Sequence, residues 1–489
     1  MPDGPAVEFE SRMLIDGVLV AGEAGTFANV NPATEEVLGE VADASHADMA
    51  RAIDAARRAF DETDWSTDHG FRRRCLEQLQ AALEDEREAM REELILEVGC
   101  PRMVTHGPQL DAPLAAALTY PAKLIDEFPW ETDMPDGPGQ MGEPCRRRIW
   151  KEAVGVVGAI VPWNGPTAAA AMATFALAAG NSVVLKPAEQ TPMSAVLVAE
   201  LALEAGIPPG VFNVVQGTGQ SVGAAIVEHP EVDAITFTGS GPTGRAIQAA
   251  AAARVKRVSL ELGGKSPSII FPDADLEAAT AAAAMGVWGA SGQVCTCGTR
   301  VLVHESIRDE VTSMIVERSR GMRIGGGFDP EVDMGPLVSA DQLARVQRYV
   351  KLGRDEGAEL ALGGERHGER GFFHEPTVFT GVRNDMTIAQ EEIFGPVMSI
   401  LSFSTEEEAY RIANDTEFGL AAGVWTSDLA RAHRAGRALR VGTVWVNTYQ
   451  MVYPSVPYGG VKQSGHGRNL GEASIEELTQ TKSLWMKVA

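Results

Sequence analysis

Residues 154–185 read VGVVGAIVPWNGPTAAAAMATFALAAGNSVVL, and residues 234–261 read AITFTGSGPTGRAIQAAAAARVKRVSLE. In both stretches, short uninterrupted apolar runs alternate with alanine-rich segments bounded by glycine, proline or asparagine. Such runs are typical of strands buried on both faces, and the alanine-rich segments of the helices that cover them. The alternation predicts strands at 154–161, 182–185, 211–215, 234–238 and 257–261, with helices near 167–179, 194–205, 221–228 and 242–253. The predicted fold class is therefore α/β, with a doubly wound parallel sheet.

A second alternation of the same kind begins after Gly263. It predicts strands at 300–304, 397–403, 423–425 and 443–446, and helices near 276–289, 307–319, 341–356 and 406–414. This pattern indicates a second α/β domain. Residues 129–148 are rich in proline and glycine and end in three arginines, which is typical of a loop or of a solvated hairpin.

Composition excludes several classes of function. The chain has 489 residues, with 42 basic and 67 acidic side chains and a net charge of −25. A polyanion is repelled by nucleic acid and by anionic membranes, so neither is an expected partner. Five cysteines without metal-ligand spacing indicate reduced thiols and no zinc site. The N-terminus has no basic leader, and the longest uncharged run is cut by Pro162, Asn164, Pro166 and Gly180. A cytoplasmic location is therefore expected.

A glycine motif follows one of the predicted strands. Gly239-x-Gly241-x-x-Gly244 lies between strand 234–238 and the next helix, where glycines let a backbone approach a pyrophosphate. A tight strand-to-helix turn has the same sequence, so the motif alone leaves both interpretations open. Gly264-Lys265-Ser266 resembles the end of a phosphate loop, but the required earlier glycine is Ser259.

Three side chains are candidates for chemistry. Cys295 is flanked by Gly, Gln and Thr rather than by apolar residues, which suits an accessible nucleophile, although most buried cysteines are inert. Glu261 ends an apolar strand, where a carboxylate is either paired structurally or raised in pKa as a general base. Asn164 lies in a turn between strand and helix, where capping the helix is the alternative role.

Together these features resemble the aldehyde dehydrogenase superfamily. The resemblance begins at Asn31-Pro32-Ala33-Thr34 and is carried in chain order by seven further motifs. These are Pro162-Trp163-Asn164, Leu185-Lys186-Pro187-Ala188-Glu189, Phe237-Thr238-Gly239-Ser240, Leu260-Glu261-Leu262-Gly263-Gly264-Lys265, Gly292-Gln293-Val294-Cys295, Glu391-Glu392-Ile393-Phe394-Gly395-Pro396 and Gly459-Gly460-Val461-Lys462-Gln463-Ser464-Gly465.

The resemblance implies oxidation of an aldehyde to the acid through a cysteine thiohemiacetal and thioester. Cys295 would be the nucleophile, Asn164 would hold the oxyanion with the Cys295 N–H, and Glu261 would activate the hydrolytic water. Relatives that acylate coenzyme A lack this glutamate, so Glu261 favours a free acid as product. A coenzyme A-acylating enzyme and a catalytically silent binding protein remain the alternatives.

The resemblance also implies NAD as cofactor, with NADP disfavoured because Glu189 would repel a 2′-phosphate. The cofactor-binding residues by this likeness are Trp163, Lys186, Glu189, Gly239, Ser240, Gly244, Glu392 and Phe394. Residues 1–128 and 152–261 would form the NAD-binding domain and 262–446 the catalytic domain. Residues 129–151 and 470–489 would form an oligomerisation hairpin and tail, which gives homodimers or homotetramers.

The chain departs from the family pattern near the expected substrate path. Gly165 follows Asn164, where the family usually has an aromatic residue; Ala290 stands where an asparagine is common, and Cys297 replaces a usual alanine. The predicted substrate funnel combines small residues with bulkier neighbours. Its members are Gly165, Ala169, Met172, Trp288, Gly289 and Tyr458. Loss of aromatic walls removes contacts that a short aldehyde needs, so aromatic or medium-to-long aliphatic aldehydes are the expected substrates.

Overall fold

The strands predicted between residues 154 and 261 lie together in the first sheet of the molecule. The computed structural model describes residues 10–487, apart from the side chains of residues 168–172, so the predicted ranges 1–128 and 470–489 extend beyond it. The sheet has eight strands, in the spatial order Gly465–His466, Arg257–Glu261, Ala234–Thr238, Val156–Ile160, Ser182–Lys186, Phe212–Val214, Met13–Ile15 and Val18–Val20. The five predicted strands are mutually parallel. Gly465–His466 and Met13–Ile15 pair antiparallel with the two outer strands of this group, and Val18–Val20 pairs antiparallel with Met13–Ile15.

Helices cover this sheet on both faces. Neighbouring residues of a strand point to opposite sides, and the central strands are apolar on both sides, so both faces are buried. Val157 and Val183 pack into one hydrophobic core, whereas Val156 and Val184 pack into another. The longer helices of this part are His46–Glu62, His69–Asp85, Arg87–Val98, Pro166–Ala178, Met193–Glu204 and Gly241–Ala252. The short helix Ala224–Glu228 follows a π-helical turn at Gly219–Gly223. The predicted doubly wound sheet is therefore confirmed.

The second large sheet, which belongs to the second predicted α/β domain, has seven strands. Their spatial order is Glu359–Leu362, Thr377–Thr380, Val397–Phe403, Arg300–His304, Pro267–Ile270, Ala421–Trp425 and Thr443–Val446. All neighbouring pairs are parallel except the first. The helices are Leu276–Trp288, Arg308–Arg320, Ala340–Asp355, Thr387–Gln390, Glu406–Asn414 and Leu429–Ala438. The inner strand Pro267–Ile270 has only four residues, all buried, and the sequence pattern does not predict it.

A third, smaller sheet is exposed. Glu131–Pro138 and Pro144–Ala153 form an antiparallel hairpin, and Thr479–Lys487 pairs with the second of these strands over nine residues. Most side chains of the first and third strands are solvent-exposed. A separate hairpin near the N-terminus joins Gly25–Val30 to Val37–Asp43.

The remaining helical segments are short. They are Asp64–Ser66, Arg102–Val104, Thr105–Gln109, Asp111–Leu114, Thr119–Glu127, Glu305–Ile307, Lys462–Ser464 and Gly471–Glu477. Within residues 10–487, no helix is both long and apolar enough to cross a membrane.

Candidate active site

The loop around Cys295 follows helix Leu276–Trp288 and bends sharply. Ser291 and Gly292 both have a left-handed backbone, with φ of 54° and 72°. A Cβ on Gly292 would lie 1.9 Å from the carbonyl oxygen of Gly395, so only glycine permits this approach of the two loops. The Cys297 N–H closes a turn by donating to the Val294 carbonyl at 2.9 Å. The four other cysteines are buried, whereas Cys295 is partly exposed inside this turn.

The Asn164 side chain contacts the same loop. Asn164 follows strand Val156–Ile160 and precedes helix Pro166–Ala178, and its Nδ2 donates to the Gln293 carbonyl oxygen at 2.8 Å. The Gln293 side chain is itself held by the Val338 N–H, at 2.9 Å from its Oε1. The contact fixes a side-chain amide beside the backbone that leads into Cys295.

Glu261, at the end of strand Arg257–Glu261, is 4% exposed. Neither carboxylate oxygen has a hydrogen bond within normal distance among the described residues. Burial raises the pKa of Glu261 well above its usual value, and the charge of Glu477 adds to this, while Arg468 and the Gly460 N–H oppose it. A Cβ on Gly459 would lie 2.5 Å from Glu261 Oε1, so glycine there gives the carboxylate its space.

Two tyrosines flank the Cys295 turn. Tyr458 Oη lies 3.3 Å from Cys295 Sγ, and Tyr449 Oη donates to the Thr296 carbonyl at 2.8 Å. Burial is the main cause that raises the pKa of Cys295 to about 11. The hydrogen bond with Tyr458 lowers this pKa, and the nearby carboxylates of Glu392 and Glu261 raise it.

Lys186 and Glu189, which are predicted to bind the adenosine ribose, form a charged pair. Lys186 Nζ lies 3.1 Å from Glu189 Oε1, and the same oxygen accepts a hydrogen bond from the Gly219 N–H at 2.6 Å. Lys186 is 3% exposed, while the side chain of Glu189 is 34% exposed. The Glu189 carboxylate is thus anchored yet open to solvent, which suits an acceptor for sugar hydroxyls.

The predicted glycine motif lies at a helix N-terminus. Ser240 caps helix Gly241–Ala252, and its hydroxyl contacts that of Thr243 at 2.8 Å. A Cβ on Gly239 would lie 2.4 Å from the ring of Phe237, and one on Gly244 would lie 2.6 Å from Leu262 Cδ2. Gly244 therefore provides close packing of helix against strand, while the exposed helix end can accept a phosphate.

Glu392 and Phe394 reach the Cys295 region from a neighbouring loop. Glu392 Oε1 accepts a hydrogen bond from the Gly264 N–H at 3.0 Å, and burial raises the pKa of this carboxyl to about 7. Phe394 has a left-handed backbone with φ of 61°, and its ring meets that of Trp163 edge-on at 5.2 Å. Such strain persists only where the surroundings hold it.

Two residues that the sequence does not predict hold this loop. Gln342 Nε2 donates to the Phe394 carbonyl at 2.7 Å, and Arg345 Nε donates to the Ile393 carbonyl at 3.1 Å. Both come from helix Ala340–Asp355 and, with Trp163, line a cleft of about 500 Å³. The anchored carboxylate of Glu189, the capped helix end and this cleft are consistent with the predicted dinucleotide.

The small residues of the predicted funnel differ in their surroundings. Among the described side chains, which leave out those of residues 168–172, Gln109 Oε1 is the one heavy atom within 4 Å of a Cβ built on Gly165, at 3.9 Å. Gly289 is buried at the end of helix Leu276–Trp288.

The larger predicted funnel residues are placed differently from one another. Trp288 is fully buried and donates to Ser319 Oγ at 2.8 Å, so its ring lies in the core. Tyr458 contacts the sulfur directly. The side chains of Ala169 and Met172 lie outside the described residues. In the described part of the chain, no group of three or more His, Cys, Asp or Glu side chains could hold a metal.

The chain is similar to known proteins over nearly its whole length. Residues 19–484 match the model of the aldehyde dehydrogenase family. The chain is 39% identical over 483 residues to betaine aldehyde dehydrogenase of Bacillus subtilis, covering 97% of this chain and 96% of the relative. It is 43% identical over 473 residues to cytosolic aldehyde dehydrogenase 1 of Rattus norvegicus, covering 95% and 92%.

Solved structures are equally similar. Indole-3-acetaldehyde dehydrogenase AldA of P. syringae, a mutant solved with NAD+ and IAA, superposes with a TM-score of 0.95 at 41% identity, covering 99% of this chain and 97% of that one. The NAD+ complex of an aldehyde dehydrogenase from Bacillus cereus gives a TM-score of 0.93 at 41% identity, covering 98% and 97%.

Proposed function

The chain belongs to the aldehyde dehydrogenase family, and from this premise we propose how its residues oxidise an aldehyde to the carboxylic acid with NAD as hydride acceptor. The observation that carries the proposal is the contact between Asn164 and the Gln293 carbonyl, which lies next to a partly exposed Cys295. The contact attaches a side-chain amide donor to the loop that holds the thiol, and nucleophilic attack on a carbonyl needs both groups.

Cys295 acts as the nucleophile. Its thiolate attacks the aldehyde carbon, a carbon–sulfur bond forms, and the carbonyl electrons move onto oxygen to give a tetrahedral thiohemiacetal. The Asn164 amide and the Cys295 N–H donate hydrogen bonds to this oxyanion. Because the charge appears only on attack, these donors stabilise the transition state more than the bound aldehyde.

The second half of the reaction releases the acid. When bound, NAD would supply a nicotinamide ring as the hydride acceptor. Loss of the hydride from the tetrahedral carbon would leave a thioester on Cys295. Glu261 removes a proton from water as the water attacks the thioester, and the Cys295 thiolate leaves. The raised pKa of the buried Glu261 suits this task, because a stronger base takes the proton more readily.

The residues that would hold NAD act on separate parts of it. Glu189 accepts hydrogen bonds from the adenosine ribose, and its charge disfavours the 2′-phosphate of NADP. The helix that begins at Gly241 receives the pyrophosphate, and Glu392, Phe394 and Trp163 orient the nicotinamide half. Glu261 also separates this function from that of a coenzyme A-acylating enzyme, which lacks a base at this position.

The space that the described side chains leave beside Gly165 favours aromatic and medium-to-long aliphatic aldehydes over acetaldehyde. Unpaired cysteines agree with a cytoplasmic location. The exposed three-stranded sheet, with its uncovered outer strands, is the surface through which copies of the chain form dimers or tetramers.

A matched pair of cysteine variants tests this proposal. Aldehydes from acetaldehyde to octanal, together with benzaldehyde, are offered with NAD, with and without coenzyme A, while the absorbance of reduced cofactor is followed. Cys295→Ala is expected to abolish turnover, whereas Cys297→Ala, two residues away and buried, retains most of it. Glu261→Gln is expected to accumulate an acyl-enzyme that mass spectrometry detects. Equal losses in both cysteine variants, or turnover that requires coenzyme A, would contradict the proposal.

A further inference from the structure

The hydroxyl of Tyr458 faces the sulfur of Cys295 at 3.3 Å, within the range of a hydrogen bond to sulfur. Its position is fixed from the backbone, because the Tyr458 N–H donates to the Asn469 carbonyl at 2.7 Å and the Asn469 N–H donates back at 2.8 Å. Among the described residues, Cys295 Sγ is the one hydrogen-bond partner of Tyr458 Oη. The hydroxyl is therefore directed at the reacting atom by a segment that two backbone hydrogen bonds hold in place.

The direction of this hydrogen bond follows from the charge of the sulfur. A thiolate carries no proton and can only accept, so the tyrosine must be the donor once Cys295 ionises. Burial raises the pKa of Tyr458 well above its usual value, so the phenol keeps its proton. The same burial disfavours the Cys295 thiolate, and a donor at this position offsets part of that cost.

We propose that Tyr458 is a catalytic residue that donates a hydrogen bond to the Cys295 thiolate, both before attack and when the thiolate leaves the thioester. The proposal rests on the role of Cys295 given above and adds a second group that touches the reacting sulfur. A hydrogen bond to a charged acceptor is about twice as strong as a neutral one, so it favours the ionised form selectively.

The expected effect on rate is smaller than the effect on ionisation. A tenfold larger thiolate fraction is partly offset by lower nucleophilicity, since reactivity falls with thiol pKa at a Brønsted slope of about 0.4–0.5. The net gain in attack near pH 7 is then about threefold. The leaving step gains as well, because a thiolate of lower pKa departs faster.

The chain provides a matched control. Tyr449 contacts the same turn, but its hydroxyl donates to the Thr296 carbonyl at 2.8 Å. Its ring packs against Trp445 with centroids 5.0 Å apart. Tyr449→Phe therefore removes a nearby phenol hydroxyl without removing a donor to Cys295.

The test is the pH dependence of iodoacetamide alkylation at Cys295, measured on the full-length protein by mass spectrometry of the labelled peptide. Tyr458→Phe is expected to raise the apparent pKa of Cys295 by about one pH unit and to lower turnover near pH 7 about threefold. Tyr449→Phe is expected to leave the alkylation profile unchanged. An unchanged profile in Tyr458→Phe, or the same shift in both variants, would overturn the proposal.

Two further measurements distinguish failure of the Tyr458 proposal from poor folding of its variant and from a wrong assignment of Cys295. Incorporation of 3-fluorotyrosine at position 458, a stronger donor, is expected to shift the pKa of Cys295 downward, and a shift upward would overturn the proposal even if the phenylalanine variant folds poorly. Turnover by Cys295→Ala would instead refute the role of the cysteine itself, which the alkylation profile does not measure.

Discussion

The side-chain nitrogen of Asn164 lies 2.8 Å from the main-chain oxygen of Gln293, two residues before Cys295. The contact thus joins the turn after strand Val156–Ile160 of the first sheet to the loop after helix Leu276–Trp288. Since an amide nitrogen has two protons, one can hold this contact while the other meets the oxyanion. In the proposed mechanism this donor would need no reorganisation when charge develops, which is the condition for strong transition-state stabilisation.

Asn164→Ala is therefore expected to lower kcat by about 10²–10³-fold, as loss of one oxyanion donor typically does. NAD binding, followed by tryptophan fluorescence, should be retained because no predicted cofactor contact is removed. A thermal melt controls for the Gln293 carbonyl, which also loses its partner. A loss of less than about fivefold would exclude Asn164 as a principal donor.

Glu189 should control the choice of cofactor. Glu189→Gln removes the charge that repels a 2′-phosphate and leaves the buried Lys186 ammonium without its carboxylate partner. We expect kcat/KM with NADP to rise at least about tenfold, since juxtaposed like charges cost several kcal/mol. The double variant Glu189→Gln with Lys186→Gln lacks the cation as well and should show a smaller gain. Equal NADP activity in the two variants would show that Lys186 does not meet the phosphate.

The pH dependence of deacylation should follow the charges around Glu261. As a base it works only when ionised, and its pKa is raised, so the rate should increase with pH through that pKa. Glu477→Gln removes a negative neighbour, lowers the pKa of Glu261 and should move the rise to lower pH. Arg468→Met removes a positive neighbour and should move the rise to higher pH.

Decay of the thioester after a single turnover, measured across pH by rapid quench, gives these profiles directly. Arg468 Nη1 also donates to the Gly460 carbonyl at 3.0 Å, so its variant requires a thermal melt in parallel. Shifts of the same sign in the two variants would be incompatible with an electrostatic effect on Glu261.

The sequence predicts those parts of the site that sit on regular elements. Strands Ala234–Thr238 and Arg257–Glu261 are continuous apolar runs, and the motif that contains Glu261 lies where the second of them ends. Asn164 likewise follows a buried strand that periodicity identifies. Strand ends of a parallel sheet share one edge, so local patterns suffice to bring such residues together.

Contacts between distant segments leave no such pattern. Gln342 reaches the Phe394 carbonyl 52 residues later, and Tyr458 reaches Cys295 across 163 residues. Trp288, a predicted funnel residue, shows a related difficulty. An apolar residue at a helix end does not reveal from the sequence whether it faces the substrate path or the core. The Trp288 indole nitrogen meets Ser319 on the next helix, inside the core.

Gly165 should set the size of the aldehyde. Its φ of −165° lies outside the left-handed region that favours glycine, and among the described side chains no heavy atom lies nearer than 3.9 Å to a Cβ built there. Gly165→Phe would place a ring next to Asn164, and a thermal melt checks that the variant keeps its fold. The ring would restore contacts for a short aldehyde and remove volume that a longer chain fills, at roughly 0.8 kcal/mol per buried CH₂. We expect the ratio of kcat/KM for octanal to that for acetaldehyde to fall by at least about tenfold, since several methylenes lose their contacts.

Gly436→Phe, which adds the same ring at an exposed glycine of helix Leu429–Ala438 with nothing within 4 Å, should leave the ratio unchanged. If the substrate profile of Gly165→Phe matched that of the unsubstituted enzyme, residue 165 would not face the aldehyde.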